Sequence, residues 1–168
     1  MGKNQEPPSA LDLKPSSVPI VSVPTTLSAG EYSNFAGATN DKTQRKHSFQ
    51  TPLRGPQLVV LDPQLVASTT PESVWLSTGV RAVDHCVETY CATQGTTEET
   101  DALALKALAN LVPGLVRSRR DPEGKDLDAR LICQLGSVDA MAACTSGRVQ
   151  LGASHGIGHQ VRPSFLTF

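Results

Sequence analysis

Aromatic residues make up only 4% of this 168-residue sequence, which leaves a core to Leu, Val and Ala rather than to large rings. That palette suits helix packing better than a sheet sandwich. Long apolar runs are also lacking. No window approaches the roughly 18 to 20 apolar residues that a membrane-spanning helix needs, which excludes a helical membrane protein and favours a soluble chain. An excess of charge is missing too: fifteen Lys and Arg oppose sixteen Asp and Glu, for a formal charge of -1. With no long run of either sign, nucleic acid is not an expected partner. The four cysteines, Cys86, Cys91, Cys133 and Cys144, form no C-x-x-C pair, and the opening MGKNQEPPSALDLKPSS has no apolar stretch resembling a signal peptide. Reduced, mostly packed thiols in a cytoplasmic protein follow as the expectation. Repeats and low-complexity tracts are absent, and the length suits one domain or a piece of a larger one.

What is present falls into two parts. Residues 1–17 are polar and proline-bearing, with too little apolar surface to offset the entropy of ordering, and read as a disordered leader. VPIVSVP then reads as a short strand ending at Pro24, and PQLVVLDP as a second, Leu58 to Leu61, stopped by Asp62 and Pro63. Between them lies a turn-rich stretch whose tail DKTQRKHSF is either a polar hairpin or a loop, with His47 exposed in it. From Pro71 onward the period becomes helical. Val80, Val83, Val87 and Tyr90 form a stripe predicting a helix near 73–92, stopped at Gly95. Thr96 and Glu99 have capping-box spacing ahead of a stripe of Leu105, Leu108, Val112 and Leu115, interrupted near Pro113 and Gly114. A third stripe, Leu127, Leu131, Leu135 and Val138, predicts a helix from Asp126 to about Cys144.

Three stretches carry candidate chemistry. LGASHGIGHQ, residues 151–160, holds His155 and His159 four apart, the spacing that lets two imidazoles on a helix meet one ion or one substrate. Gly156 stands where a zinc protease needs its general-base Glu, so that activity is excluded. Gly152, Gly156 and Gly158 point to a close approach of backbone or ligand, and a tightly packed crossing with two ordinary histidines accounts for the same pattern. TGVRAVDHCVETY, residues 78–90, puts Arg81, His85 and Glu88 on one helical face; that face is either functional or simply solvated, with Arg and Glu supporting each other. VPTTLSAGEYS, residues 23–33, ends a strand in a turn rich in hydroxyls. Strand-end loops of this kind contact phosphate or ribose in nucleotide sites, although this one is no G-x-G-x-x-G fingerprint and also fits an ordinary turn.

Taken in order, VPTTLSAGEYS, LVVLDPQLVASTTPESVWLSTGVRAVDHCVETY, a helical stretch and LGASHGIGHQ resemble the iron-type alcohol dehydrogenase family, nearest its maleylacetate reductase-like branch. The resemblance covers about Val18 to Gln160. It implies a mixed α/β fragment, with short strands from the end of an α/β nucleotide-binding domain followed by a mainly α-helical domain. The corresponding division is residues 18–70, residues 71–160 and a divergent tail at 161–168. It further implies hydride transfer between NAD or NADP and an alcohol, carbonyl or maleylacetate-like enoate, a small-molecule substrate. By resemblance Thr25 and Thr26 lie along the cofactor with Ser33 nearby, His85 and His155 match metal-ligand positions for iron or zinc, and His159 matches a histidine near the nicotinamide, suited to proton relay.

The departures from the family pattern matter equally. Arg81 stands where metal-using members place an Asp four residues before the first ligand His, and a cation there repels a divalent ion. Asp84 is no equivalent substitute, because it leaves the helix at a different angle. The last ligand His of the family has no counterpart here, so weak or no metal binding is expected. Arg81 is then available to orient a substrate carboxylate by a forked hydrogen bond, making Arg81 and His159 the expected catalytic pair. The glycine-rich phosphate turn of the family is expected upstream of Val18, where only polar residues stand, so activity of this chain alone is in doubt. Two alternatives remain from the residues: a non-catalytic helical module that forms a homo-oligomer or pairs with a full-length relative, and a rearranged metal-binding protein using His85, His155 and His159.

Overall fold

The computed structural model describes residues 17–33, 36–43, 45–49, 55–146, 149–150, 152–154 and 157. The expected leader, the tail and both His155 and His159 lie outside the described residues or almost wholly so. Two compact units divide the chain, one comprising residues up to Ser22 with Gly30–Val59, the other Val23–Ala29 with Val60 onward.

The first unit holds the strands. β1 (Val21–Ser22) pairs in parallel with β4 (Leu58–Val59), each shorter than its apolar run predicts. The backbone N–H of Gln57 extends the pairing by one bond to Ile20 O at 2.9 Å. The undecided DKTQRKHSF tail is a hairpin: β2 (Ala36–Asn40) pairs antiparallel with β3 (Arg45–Phe49). Asn40 shapes its turn, because its side-chain oxygen accepts from the Lys42 and Thr43 backbone N–H groups at 2.9 and 3.1 Å. His47 is therefore a strand residue opposite Ala38, half-buried rather than exposed in a loop.

Among the described residues the second unit has four helices with given bounds. Asp62 and Pro63, which end the apolar run before them, begin α1 (Pro63–Thr69): Asp62 Oδ1 accepts from Leu65 N at 2.9 Å and Pro63 takes the first helical position, where a missing N–H costs nothing. α2 (Glu72–Cys91) and α4 (Leu127–Ser146) match expectation closely. α3 (Glu98–Arg120) is capped one residue later than Thr96 and Glu99 predict, by reciprocal bonds between Thr97 and Thr100 of 2.8 and 3.2 Å. It also runs unbroken through Pro113, whose position is exposed. Three acids in its first turn and three arginines in its last complement the helix dipole.

The helix faces require the larger correction. Val80, Val87 and Tyr90 of α2, Leu105 and Val112 of α3, and Leu127 and Leu135 of α4 are exposed. The buried stripes are instead Trp75, Gly79, Ala82, His85, Cys86 and Thr89 on α2, and Thr100, Ala104, Ala107, Leu111, Gly114 and Ser118 on α3. Small residues win because they let the helix axes approach. A Cβ on Gly114 would stand 2.6 Å from Cys133 Sγ, and one on Gly136 would stand 2.8 Å from Leu111 Cγ. A Cβ on Gly79 would overlap Leu115 Cδ2. Among the described residues the core is accordingly alanine and cysteine more than leucine and valine, with Trp75 its one large ring.

Candidate functional site

The hydroxyl-rich loop 23–29 belongs to the helical unit and is tied to it at three backbone points. Thr70 Oγ1 donates to Thr25 O at 2.8 Å, Leu27 N donates to Thr78 Oγ1 at 3.2 Å, and Ser137 Oγ donates to Leu27 O at 2.8 Å. Leu27 and Ala29 are buried as anchors, 1% and 2% exposed, while Thr25, Thr26 and Ser28 stay half-buried. Thr26 Oγ1 and Ser28 Oγ lie 3.0 Å apart, so two hydroxyls share one hydrogen bond and keep further capacity for a ligand. Ala29 adopts φ +59°, a left-handed conformation that costs a non-glycine residue about 1–2 kcal/mol and bends the loop sharply before Gly30. These features fit a phosphate or ribose group. Ser33 belongs to the other unit, where its hydroxyl donates to Gly30 O at 3.3 Å.

One turn beyond Thr78 on α2 stands Arg81, followed by Asp84, His85 and Glu88. Arg81 Nη1 donates to Asp84 Oδ2 at 2.7 Å, both side chains being partly exposed at 31% and 23%. Asp84 therefore faces Arg81 despite its different angle on the helix, because the long guanidinium arm reaches one turn along. The other oxygen of Asp84 accepts from Ser154 Oγ at 2.7 Å. The segment before His155 thus reaches α2. Gln150 N donates to Gln94 O at 3.4 Å, and a Cβ on Gly152 would meet Glu88 Oε1 at 3.2 Å. Gly152 and Ser154 thus meet α2 at Glu88 and Asp84 in turn, successive points toward Arg81, while Gln150 meets Gln94 beyond the helix end.

His85 is buried at 7% exposure, in the second unit with Arg81. The nearby thiols are poor ligands. Burial pushes the Cys86 thiol up to about 12 and that of Cys144 up to about 11, the latter offset in part by the positive charge of Arg81. Among the described residues no group of three or more His, Cys, Asp or Glu could hold a metal ion. Among the described residues the Arg81 guanidinium, one turn before His85, is paired with the Asp84 carboxylate. Thr70, Thr78, Ser137 and Ser154 escape sequence reading, since isolated hydroxyls carry no pattern. Asp84 has a signal in its i, i+3 spacing from Arg81.

Comparison with known proteins bears on this arrangement. Residues 75–166 match the family model "Fe-containing alcohol dehydrogenase family, C-terminal". Dehydrogenase FUM7 of Gibberella moniliformis is 38% identical over 93% of this chain and 38% of its own length. The NAD-dependent methanol dehydrogenase of Bacillus methanolicus is 30% identical over 86% of this chain and 36% of its own. Maleylacetate reductase from Rhizobium sp. strain MTP-10005 shares the fold, with a TM-score of 0.76 at 22% identity over 92% of this chain and 41% of the solved one. The chain thus spans about two fifths of the length of these relatives.

Proposed function

Because the chain belongs to the Fe-containing alcohol dehydrogenase family, we propose that it supplies the helical, substrate-facing part of an NAD(P)H-linked oxidoreductase acting on carboxylate-bearing carbonyl or enoate substrates. One observation carries this reading: Thr78, whose hydroxyl holds the backbone of the Thr25–Ala29 loop, lies a single helical turn from Arg81. A cofactor on that loop and a carboxylate at Arg81 are thereby brought within one small region of the helical unit. In this reading residues 18–70 close the cofactor domain and residues 71–160 begin the catalytic one.

When bound, the nicotinamide supplies the hydride. Thr25 and Thr26 would hold its phosphate or ribose by hydroxyl and backbone groups. Arg81 takes the substrate carboxylate by paired N–H donors, the geometry a guanidinium favours over an ammonium. His159 gives a proton to the oxygen on which negative charge develops, a role that a group titrating near neutrality can fill. No step is assigned to a metal, and His85 serves as a packed imidazole behind Arg81. The relatives favour this reading over a non-catalytic module.

The test is NADH- and NADPH-dependent reduction of a 4-oxocarboxylate and of its methyl ester, in the presence of chelator. Arg81→Met is expected to cut kcat/KM for the acid about 100-fold, the scale of a lost charged hydrogen-bond pair, and to leave the ester nearly unchanged. Equal losses for both, or no hydride transfer to either, would contradict the proposal.

A further inference from the structure

Asp84 is the one described side chain that bridges Arg81 and the segment entering the H-x-x-x-H stretch. Its two oxygens are divided between them: Oδ2 accepts from Arg81 Nη1 at 2.7 Å and Oδ1 accepts from Ser154 Oγ at 2.7 Å. Both lengths are ordinary for charge-assisted bonds to a carboxylate, and both partners compete with water at a partly exposed surface. Ser154 also has two companions. Gln150 N binds Gln94 O at 3.4 Å, and Gly152 passes Glu88 where a Cβ would come within 3.2 Å of Oε1. A side chain at 152 would require the Glu88 carboxylate to shift by a few tenths of an ångström. Asp84 is the last of these points.

We propose that Asp84 is a positioning residue, which through Ser154 and Arg81 fixes the strap 152–154 beside α2 and holds the Arg81 guanidinium in the direction a substrate carboxylate meets. This rests on the reading of Arg81 as the carboxylate-binding group. The carboxylate of Asp84 holds one amino group of the guanidinium, Nη1, and so limits how the side chain swings. The hydroxyl of Ser154 fixes Asp84 in turn. The geometry therefore ties Arg81 and Ser154 to one carboxylate, and a change at Ser154, which touches neither substrate nor cofactor, acts on Arg81 through it.

The experiment uses the full chain, with succinate as the anion probe and amide hydrogen exchange as the structural readout. Ser154→Ala removes the bond and leaves all charges in place, so its effects report position alone. Exchange over residues 152–154 is expected to rise about fivefold, and succinate affinity to fall about threefold, the scale of one partly exposed charged hydrogen bond. Ser154→Thr restores the hydroxyl and is expected to restore both. Asp84→Ala is expected to raise exchange as far as Ser154→Ala does, and the double variant no further, because both remove one interaction. Wild-type exchange in Ser154→Ala, or additive effects in the double variant, would overturn the proposal. Arg81→Met separates the two readings: if it binds succinate as the wild type does, the carboxylate role of Arg81 fails, and the exchange results still decide whether Asp84 holds the strap.

Discussion

At the scale of single residues, stability is governed by buried polar groups more than by the few large apolar ones. Gln134 is 2% exposed, and neither its amide nitrogen nor its carbonyl oxygen has a partner. Removing such an amide while keeping its shape relieves a desolvation cost, so Gln134→Met is expected to stabilise the fold by about 1–2 kcal/mol in urea unfolding. The thiols set a pH limit. Burial pushes Cys86 up to about 12 and Cys133 up to about 11 from an ordinary 9.0. Protons then bind the folded thiols more tightly, so their contribution is complete below pH 9.0 and is lost as pH rises toward the folded values. Between those values each thiol lowers the unfolding free energy by about 1.4 kcal/mol per pH unit. Denaturation midpoints measured from pH 8 to 11 should fall with this slope, and Cys133→Ala should flatten it.

At the scale of elements, the sequence announces helices well and their faces poorly. Periodicity and caps place α2 and α4 within a residue or two, because spacing and N-terminal signals are local. The buried face is a tertiary decision. Val80, Leu105 and Leu135 make the more conspicuous stripe, yet Ala82, Ala104 and Ala140 are buried because glycine and alanine permit close crossings. α1 is missed for a related reason, since Asp62 and Pro63 read as an ending and also serve as a beginning. Helix propensity misleads in the same way at adjacent positions of α3. Pro113 is exposed, so Pro113→Ala is expected to stabilise by about 1–3 kcal/mol. Gly114→Ala is expected to destabilise by about 1–3 kcal/mol, although propensity alone favours it, because its Cβ would lie 2.6 Å from Cys133 Sγ. Paired denaturation curves of the two variants check both signs.

At the scale of the whole molecule, membership of the family was legible because several motifs stand in a fixed order, TTLSAGEYS before TGVRAVDHCVETY before SHGIGHQ. How the site is held was not. Thr70, Thr78 and Ser137 bind the loop backbone across 45, 51 and 110 residues of sequence, and no local pattern announces such bonds. The candidate residues divide accordingly. Thr25, Thr26, Arg81 and His85 fall in one unit, Ser33 falls in the other, and His155 and His159 lie outside the described residues. The central proposal is that a guanidinium at position 81 takes the place of a metal-binding group and favours substrates that carry a carboxylate. Calorimetric titration of the chain with zinc tests it most directly. The account predicts no stoichiometric uptake by the wild type and measurable uptake by Arg81→Asp, whereas one tightly bound zinc per wild-type chain, lost on His85→Ala, would contradict it.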